Sequence, residues 1–430
     1  MNRAAAPDDQ RPVVEFLSHP ESYGLSSGRV ARVETHCSIV FLADGFAYKL
    51  KRAIRYADLD YRTRAARRTS CAAELALNRR TAPELYLGVR AITRAPDGHL
   101  AFDGAGPALD HVVVMRRFPQ ANLFDRLAAR GALTPALMAG LGEALARLHR
   151  TAEAAPEHGG AAAIRRVIAG NARELARHAS PPDPALDPAR IEQAGVRALA
   201  ALERLAPLLE RRRAQGKVRR CHGDLRLANI VLDAGRPLLF DAIEFSDEIA
   251  CIDVLYDLAF LLMDLWLHER ADLASLVFNA YLDRLGADGL AEAEGLAALP
   301  LFLSLRAATR SYGLAGSAER TVRPREKARL CEAACRHLAA ALAFLDPERP
   351  HLVAIAPAPS GRLATALAPL IPPPPGARIL RSGPAAGPPW PEAEALLAAG
   401  CSVLVEGAFL SPAKGSLATA DGIGNRRGSG

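Results

Sequence analysis

The sequence is short of lysine, of aromatic residues and of cysteines at metal-binding spacing, and each shortage removes a class of protein. Seven cysteines (Cys37, Cys71, Cys221, Cys251, Cys331, Cys335 and Cys401) are scattered through 430 residues, odd in number and without a CxxC pair. That excludes a disulfide framework and a structural zinc site. Cys331 and Cys335 stand one helical turn apart with no His or second Cys pair to complete a tetrahedral set, so packing is their expected role. No run of about 18 to 20 uncharged apolar residues occurs, so the chain is not built of membrane spans. The opening stretch MNRAAAPDDQRP has early acidic residues and no apolar core. It does not read as a secretory leader, and a cytoplasmic location is expected. No internal repeat of fixed period is present.

Only five lysines occur (Lys49, Lys51, Lys217, Lys327 and Lys414), so the net charge of +7 is carried almost wholly by arginine. A basic chain favours phosphates or nucleic acid. Here the arginines are dispersed among Ala and Leu at helical spacing, without interleaved aromatics, and read as solvated helix faces. No nucleic-acid partner and no membrane partner are expected. The scarcity makes Lys49, inside the apolar run FAYKL, conspicuous.

At 430 residues the chain is long enough for two or three domains. RVARVETHCSIVFLADGFAYKL reads as a meander of three strands, broken at THCS and turned at Asp44-Gly45. Residues 63 to 80 have helical periodicity, and YLGVRAIT, HLAFDG and HVVVMRRF are strand-like. The first 118 residues therefore predict a sheet of about five strands interrupted by one helix. After Pro119 the chain is helical to about residue 215, broken at SPPDPALDP, and helical again over 252 to 347. Between these lie KVRRCHGD and a hairpin, NIVLD and PLLF, turned at Ala234-Gly235. The expected fold class is α+β with two lobes: a β-rich lobe over 1–118 and a helical lobe over 119–348 carrying the hairpin. A small α/β segment over 349–410 and a disordered tail over 411–430 complete the chain.

The chemistry concentrates in CHGDLRLANI, residues 221–230. Phosphoryl transfer needs a group to orient the acceptor hydroxyl, oxygen ligands for magnesium, and a cation on the phosphates. Asp224 and Asn229, five residues apart, suit a loop whose Asp faces the acceptor while the Asn carbonyl reaches a metal. Asp241 follows the apolar strand PLLF, where a carboxylate is costly without a cation. The hairpin brings it near Asn229. Lys49 supplies the phosphate cation, and Glu74 on the following helix can hold it by an ion pair. Singly, Asp224 could cap a helix, Asn229 could bond its own backbone, Glu74 could be a solvated charge, and Lys49 with Lys51 could alternate on an exposed edge strand. Their conjunction, in this order, points to a kinase-like site. His222 reads as a buttress of the loop.

HGDLRLANIVLDAGRPLLFDAIEF followed by CIDVLYDLAFLLMDL resembles the core of the aminoglycoside phosphotransferase-like group of the protein-kinase-like superfamily. With VETHCSIVFLADGFAYKLKR, ELALNRRTAPELYLGV and VVVMRRFPQANLFDRL, the similarity spans roughly residues 10 to 345. It is greatest to a bacterial subfamily in which that domain is fused to a C-terminal P-loop predicted kinase. The resemblance implies a two-lobed protein-kinase-like fold and an ATP- and Mg²⁺-dependent transfer to a hydroxyl of a small molecule. It also implies Asp224 as the catalytic Asp, Asn229 and Asp241 as metal ligands, Lys49 as the phosphate-contacting lysine and Glu74 as its partner. The linker from Met115 to Phe118 would offer backbone groups to adenine. ETHCS stands where protein kinases carry GxGxxG, which argues against a protein kinase more than against ATP.

Glu244, Asp247, Glu248, Asp253 and Asp257 follow the metal ligand and could serve a cationic substrate, or, for Asp253 and Asp257, support the loop and cap helices. Arg306 and Arg310 could face the cleft or solvent. A second nucleotide site is expected to be broken. HLVAIAPAPSGRLATALAP keeps the strand and helix of a P-loop, but Pro357 and Pro359 remove NH donors and no Gly-Lys-Ser/Thr follows. With Gly383 where an Asp is expected and Glu406 the one acid ending CSVLVEGAFL, this segment reads as a truncated remnant that does not hydrolyse nucleotide. Its degeneration motivates an alternative to transfer, a nucleotide-binding regulatory or scaffold protein.

Overall fold

A computed structural model describes residues 8–56, 59–179, 186–285, 292–356, 362–382 and 389–407. The chain divides into two compact units. One comprises Met1–Leu127, His222–Asp224 and Ala228–Ala250, and the other Ala128–Cys221, Leu225–Leu227 and Cys251–Gly430.

The first unit is built on an antiparallel sheet whose strands are β1 (Ala31–Glu34), β2 (Ser38–Ala43), β3 (Phe46–Lys51), β6 (Tyr86–Arg94), β7 (Leu100–Phe102) and β8 (Ala108–Arg116), in the order β1-β2-β3-β8-β6-β7. Six strands form where about five are expected, one for each strand of the meander and one each for YLGVRAIT, HLAFDG and HVVVMRRF, with β7 at the edge beside β6. A small hairpin of β4 (Arg55–Tyr56) and β5 (Leu59–Asp60) stands apart from it. The β2–β3 turn places Asp44 at φ +50°, the left-handed conformation that a tight hairpin of this twist requires. Because successive side chains of a strand point to opposite faces, β3 divides its residues. Tyr48 and Leu50 join Val13, Leu17, Phe41 and Val112 in one core, and Ala47 joins Cys71, Tyr86, Val113 and Met115 in another. Val13 and Leu17 belong to α1 (Arg11–Ser18), an element that the sequence reading did not identify.

On the second face lies α2 (Arg64–Asn78), started by Thr63, whose hydroxyl accepts a hydrogen bond from the Ala66 amide at 3.2 Å. The hairpin of β10 (Ile230–Asp233) and β11 (Arg236–Leu239) adds Val231 and Leu238 to the same core, turning at Ala234 and Gly235 with φ +45° and +77°. The short helices α3 (Phe124–Ala129) and α7 (Asp247–Ala250) end the two long stretches of this unit.

The second unit is mostly helical: α4 (Pro135–Thr151), α5 (Gly160–Arg177), α6 (Pro188–Ala214), α8 (Val254–Leu267), α9 (Ala271–Leu285), α10 (Leu299–Arg320) and α11 (Pro324–Phe344). Residues 251–253, at the start of the stretch expected to be helical, instead form β12, which pairs antiparallel with β9 (Val218–Arg220). Cys331 is half-buried and Cys335 exposed. At the C-terminal end β13 (Leu352–Ile355), β14 (Arg378–Ser382) and β15 (Val403–Gly407) make a parallel sheet in the order β13-β15-β14, with α12 (Leu363–Leu367) and α13 (Trp390–Ala398). β14 follows closely on the run of four prolines at 372–375. The readings placed on Pro357, Pro359, Gly383 and the tail 411–430 lie outside the described residues. Among the described residues, no helix is long and apolar enough to cross a membrane.

Candidate active site

β3 is hydrogen-bonded to β2 on one side and β8 on the other, so its lysines do not alternate on an exposed edge. Lys49 and Lys51, two residues apart, point to the face that α2 covers. Glu74 of α2 is fully buried and divides its carboxylate between them: Oε1 accepts from Lys49 Nζ at 2.8 Å and Oε2 from Lys51 Nζ at 2.6 Å. Lys49 also donates to Asp241 Oδ1, and Lys51 to Glu244 Oε1. The hydroxyls of Tyr61 and Ser70 lie within hydrogen-bond distance of the same Glu244 oxygen and of each other. Two lysines thus meet three carboxylates.

Burial alone would raise the Glu74 carboxyl, but the two ammonium groups prevail and hold it at about 2, below its ordinary 4.5. Burial likewise opposes the charge on Lys49, yet Asp241 and Glu74 hold its ammonium well above the usual lysine range. An isolated buried charge would neutralise. Here each stays ionised through its partners.

Asp241 follows β11 with φ +64°, an unfavourable conformation for a residue other than glycine. Its neighbours hold it there. The Phe240 amide donates to the Asn229 carbonyl at 3.0 Å, the Asp241 amide to the Tyr86 hydroxyl at 3.1 Å, the Ala242 amide to Asn78 Oδ1 at 2.9 Å, and the Ile243 amide to the His222 carbonyl at 2.9 Å. His222 Nε2 donates to the Phe240 carbonyl at 3.0 Å, the buttress position. Asn78 also donates to the Glu74 carbonyl at 2.8 Å, so one side chain ties α2 to the backbone beside Asp241.

In the loop before β10, Asn229 Nδ2 donates to both the main-chain carbonyl and Oδ2 of Asp224, each at 2.8 Å, which fixes the orientation of that carboxylate. Gly223 has φ +84°, and a Cβ there would lie 2.9 Å from the Ile243 side chain, so the turn before Asp224 requires glycine.

These groups surround a cavity of about 510 Å³, within the range of small-molecule sites. Its walls include the apolar side chains of Val40, Leu42, Ala47, Met115, Phe118 and Phe240, and Lys49, Asp224, Asp241 and the turn Thr35–Ser38 line it as well. That turn closes on itself, since the Thr35 hydroxyl accepts from the Ser38 amide at 3.0 Å and the Thr35 amide donates to the Ser38 carbonyl at 2.9 Å. In the linker the Arg116 and Arg117 amides are already bonded to the carbonyls of Leu85 and Gly45, at 2.9 and 2.8 Å. Pro119 has no N–H. Of the linker amides from 116 to 119, that of Phe118 is the one these contacts leave to a ligand.

The supporting residue Asp253 belongs to the second unit. It caps α8 by accepting from the Leu255 amide at 2.9 Å and takes a two-pronged hydrogen bond from Arg212 at 2.7 and 2.8 Å. Asp264 bonds the loop within this unit, accepting from the Leu227 amide at 2.9 Å. Asp257 pairs with His149 at 3.1 Å. Of the acidic residues first grouped as possible substrate contacts, Glu244, Asp253 and Asp257 are therefore engaged internally. Arg306 is buried, donates to the Tyr256 carbonyl at 3.1 Å and stacks 3.8 Å from the Tyr256 ring centre, a core position.

Asn78, Tyr86, Ser70, Tyr61 and Asp264 were not singled out in the sequence. Only Lys51 carried a signal, as a second scarce lysine at strand spacing from the first. Asp241 and Asn229 offer the hard oxygen donors that magnesium prefers, and the excess of carboxylate over lysine fits a divalent cation.

Among curated proteins, the uncharacterized protein Rv2004c of Mycobacterium tuberculosis is 32% identical over 256 residues, 59% of this chain and 49% of that protein. The chain thus spans about half the length of the curated relatives it matches. Among solved structures, a choline/ethanolamine kinase family protein from Mesorhizobium loti matches at 18% identity and a TM-score of 0.42, over 78% of this chain and 99% of that one. Amicoumacin kinase hAmiN, solved with AMP-PNP and Ca²⁺, matches at 15% identity and a TM-score of 0.44, over 77% of this chain and 93% of that one. The model of the phosphotransferase enzyme family matches residues 55–296, more than half of the chain, which therefore belongs to that family.

Proposed function

We propose that the protein transfers the terminal phosphoryl group of ATP, with magnesium, to a hydroxyl of a small molecule. The observation that carries this reading is the placement of Lys49 between Glu74 and Asp241 in a cavity that Asp224 also lines. Adenine would lie against Met115, Phe118 and Phe240, with the Phe118 amide as its backbone donor. Lys49 would draw the phosphates, and the Thr35–Ser38 turn would cover them. Magnesium, bound through Asp241 and the Asn229 oxygen, would neutralise phosphate charge. Asp224, its carboxylate oriented by Asn229, would accept or direct the proton of the acceptor hydroxyl.

The same reading assigns no nucleotide turnover to residues 349–410. Glu406, near the end of β15, is spent on Arg381 at 3.2 Å. The test is incubation of the purified protein with γ-labelled ATP, magnesium and a metabolite extract. A labelled small molecule that disappears in Asp224→Asn is the expected result. Nucleotide binding with no labelled product in any extract would favour the regulatory alternative.

A further inference from the structure

The cluster contains two charges that the proposed transfer does not use, Lys51 and Glu244. Lys51 is only 1% exposed, and a buried ammonium costs more than an apolar side chain of its size unless its partners require it. Its partners are Glu74, which also holds Lys49, and Glu244, three residues beyond Asp241. Two consequences follow from the geometry. Glu74 cannot turn both oxygens to Lys49, because Lys51 takes one of them. Glu244 is drawn to the point where Tyr61 and Ser70 also meet it, so the segment whose amides are held from Phe240 to Ile243 gains a side-chain anchor at its far end.

We infer that Lys51 and Glu244 are positioning residues for the metal and phosphate groups, acting through Glu74 on Lys49 and through the 240–244 segment on Asp241. The inference rests on Asp241 being the metal ligand. An ion pair that served only stability would need neither the sharing of Glu74 nor an anchor at this distance from Asp241. Neither side chain touches the reacting atoms in this account. Their effect is to hold the strained Asp241 backbone and one Lys49 rotamer before nucleotide arrives.

The test uses Glu244→Gln, which keeps size and the hydroxyl contacts, alongside Lys51→Met and the double variant, with mant-ATP as the probe. Each single variant should raise the magnesium concentration for half-maximal mant-ATP binding by about 10-fold, the usual effect of losing a group that orients a metal ligand. The double variant should do little more than either. In the nucleotide-free protein, amide exchange at 240–245 should quicken in Glu244→Gln while exchange in β6 and β8 stays unchanged. A lowered melting temperature with unchanged magnesium dependence and unchanged exchange at 240–245 would overturn the inference, and Glu244→Gln decides alone if Lys51→Met fails to fold. If Asp241→Ala also leaves the magnesium dependence of wild-type binding intact, the metal assignment itself has failed. If Asp241→Ala removes that dependence and Glu244→Gln does not alter it, only the positioning role has failed.

Discussion

The antiparallel sheet of the first unit and the parallel sheet near the C-terminus both carry charge at a strand, and they treat it in opposite ways. On β3, a buried Lys51 and a half-buried Lys49 share one glutamate, and one of their carboxylate partners, Asp241, keeps its side chain 45% exposed in a cavity. On β15, Glu406 is paired with Arg381 of the neighbouring strand. The outer edge of β14 is sealed as well: Asn279 of α9 accepts from the Ile379 amide at 2.8 Å and donates to the Ala377 carbonyl at 3.1 Å, as a neighbouring strand would. A charge left partly uncompensated and facing a cavity can act on a ligand. A charge already consumed within its own sheet serves packing.

The contrast breaks most visibly in turnover. Asp224→Asn should lower phosphoryl transfer by about 10²- to 10⁴-fold, the worth of a positioned base, with the melting temperature unchanged. Glu406→Gln should leave transfer as it is. Stability should show the next largest difference. Glu74→Gln leaves Lys49 and Lys51 without their common carboxylate and should cost about 3–5 kcal/mol in denaturant unfolding. Acid sharpens the same point, with a sign fixed by the depressed carboxyl. Glu74 contributes its full stability above the unfolded value of 4.5 and loses it as pH falls toward about 2. The wild-type melting temperature should therefore fall more steeply than that of Glu74→Gln across this window. Asn279→Ala should cost about 1–3 kcal/mol, from two backbone groups left unpaired at the β14 edge, with mant-ATP affinity unaltered. Smallest of all, Glu406→Gln should cost about 0–1 kcal/mol, since Arg381 is half-exposed and the pair is screened.

Strand periodicity and turn signals were enough to place β2, β3, β10 and β11, because alternating burial and the Asp44-Gly45 and Ala234-Gly235 turns are local properties. The candidate site residues stood out for a similar reason: Asp224 and Asn229 lie within one loop, and Lys49 is a rare residue type in an apolar run. What sequence could not supply was contact between distant segments. Asn78 and Tyr86 look like ordinary helix-end and strand residues until they are seen holding the amides of Ala242 and Asp241. Glu244 read as a possible substrate contact because its partners, Lys51, Tyr61 and Ser70, lie more than 170 positions away in the chain. α1 was missed because its eight residues, RPVVEFLS, are too few to establish a period. β14 was obscured by the prolines on either side of it.

The most direct measurement compares wild-type protein, Asp224→Asn and Glu406→Gln in one assay of γ-labelled phosphate transfer from ATP to metabolites in a small-molecule extract. Equal labelling by wild type and Glu406→Gln, with none by Asp224→Asn, is the result predicted by a single transfer site in the first unit. Labelling that survives Asp224→Asn and disappears with Glu406→Gln would contradict it.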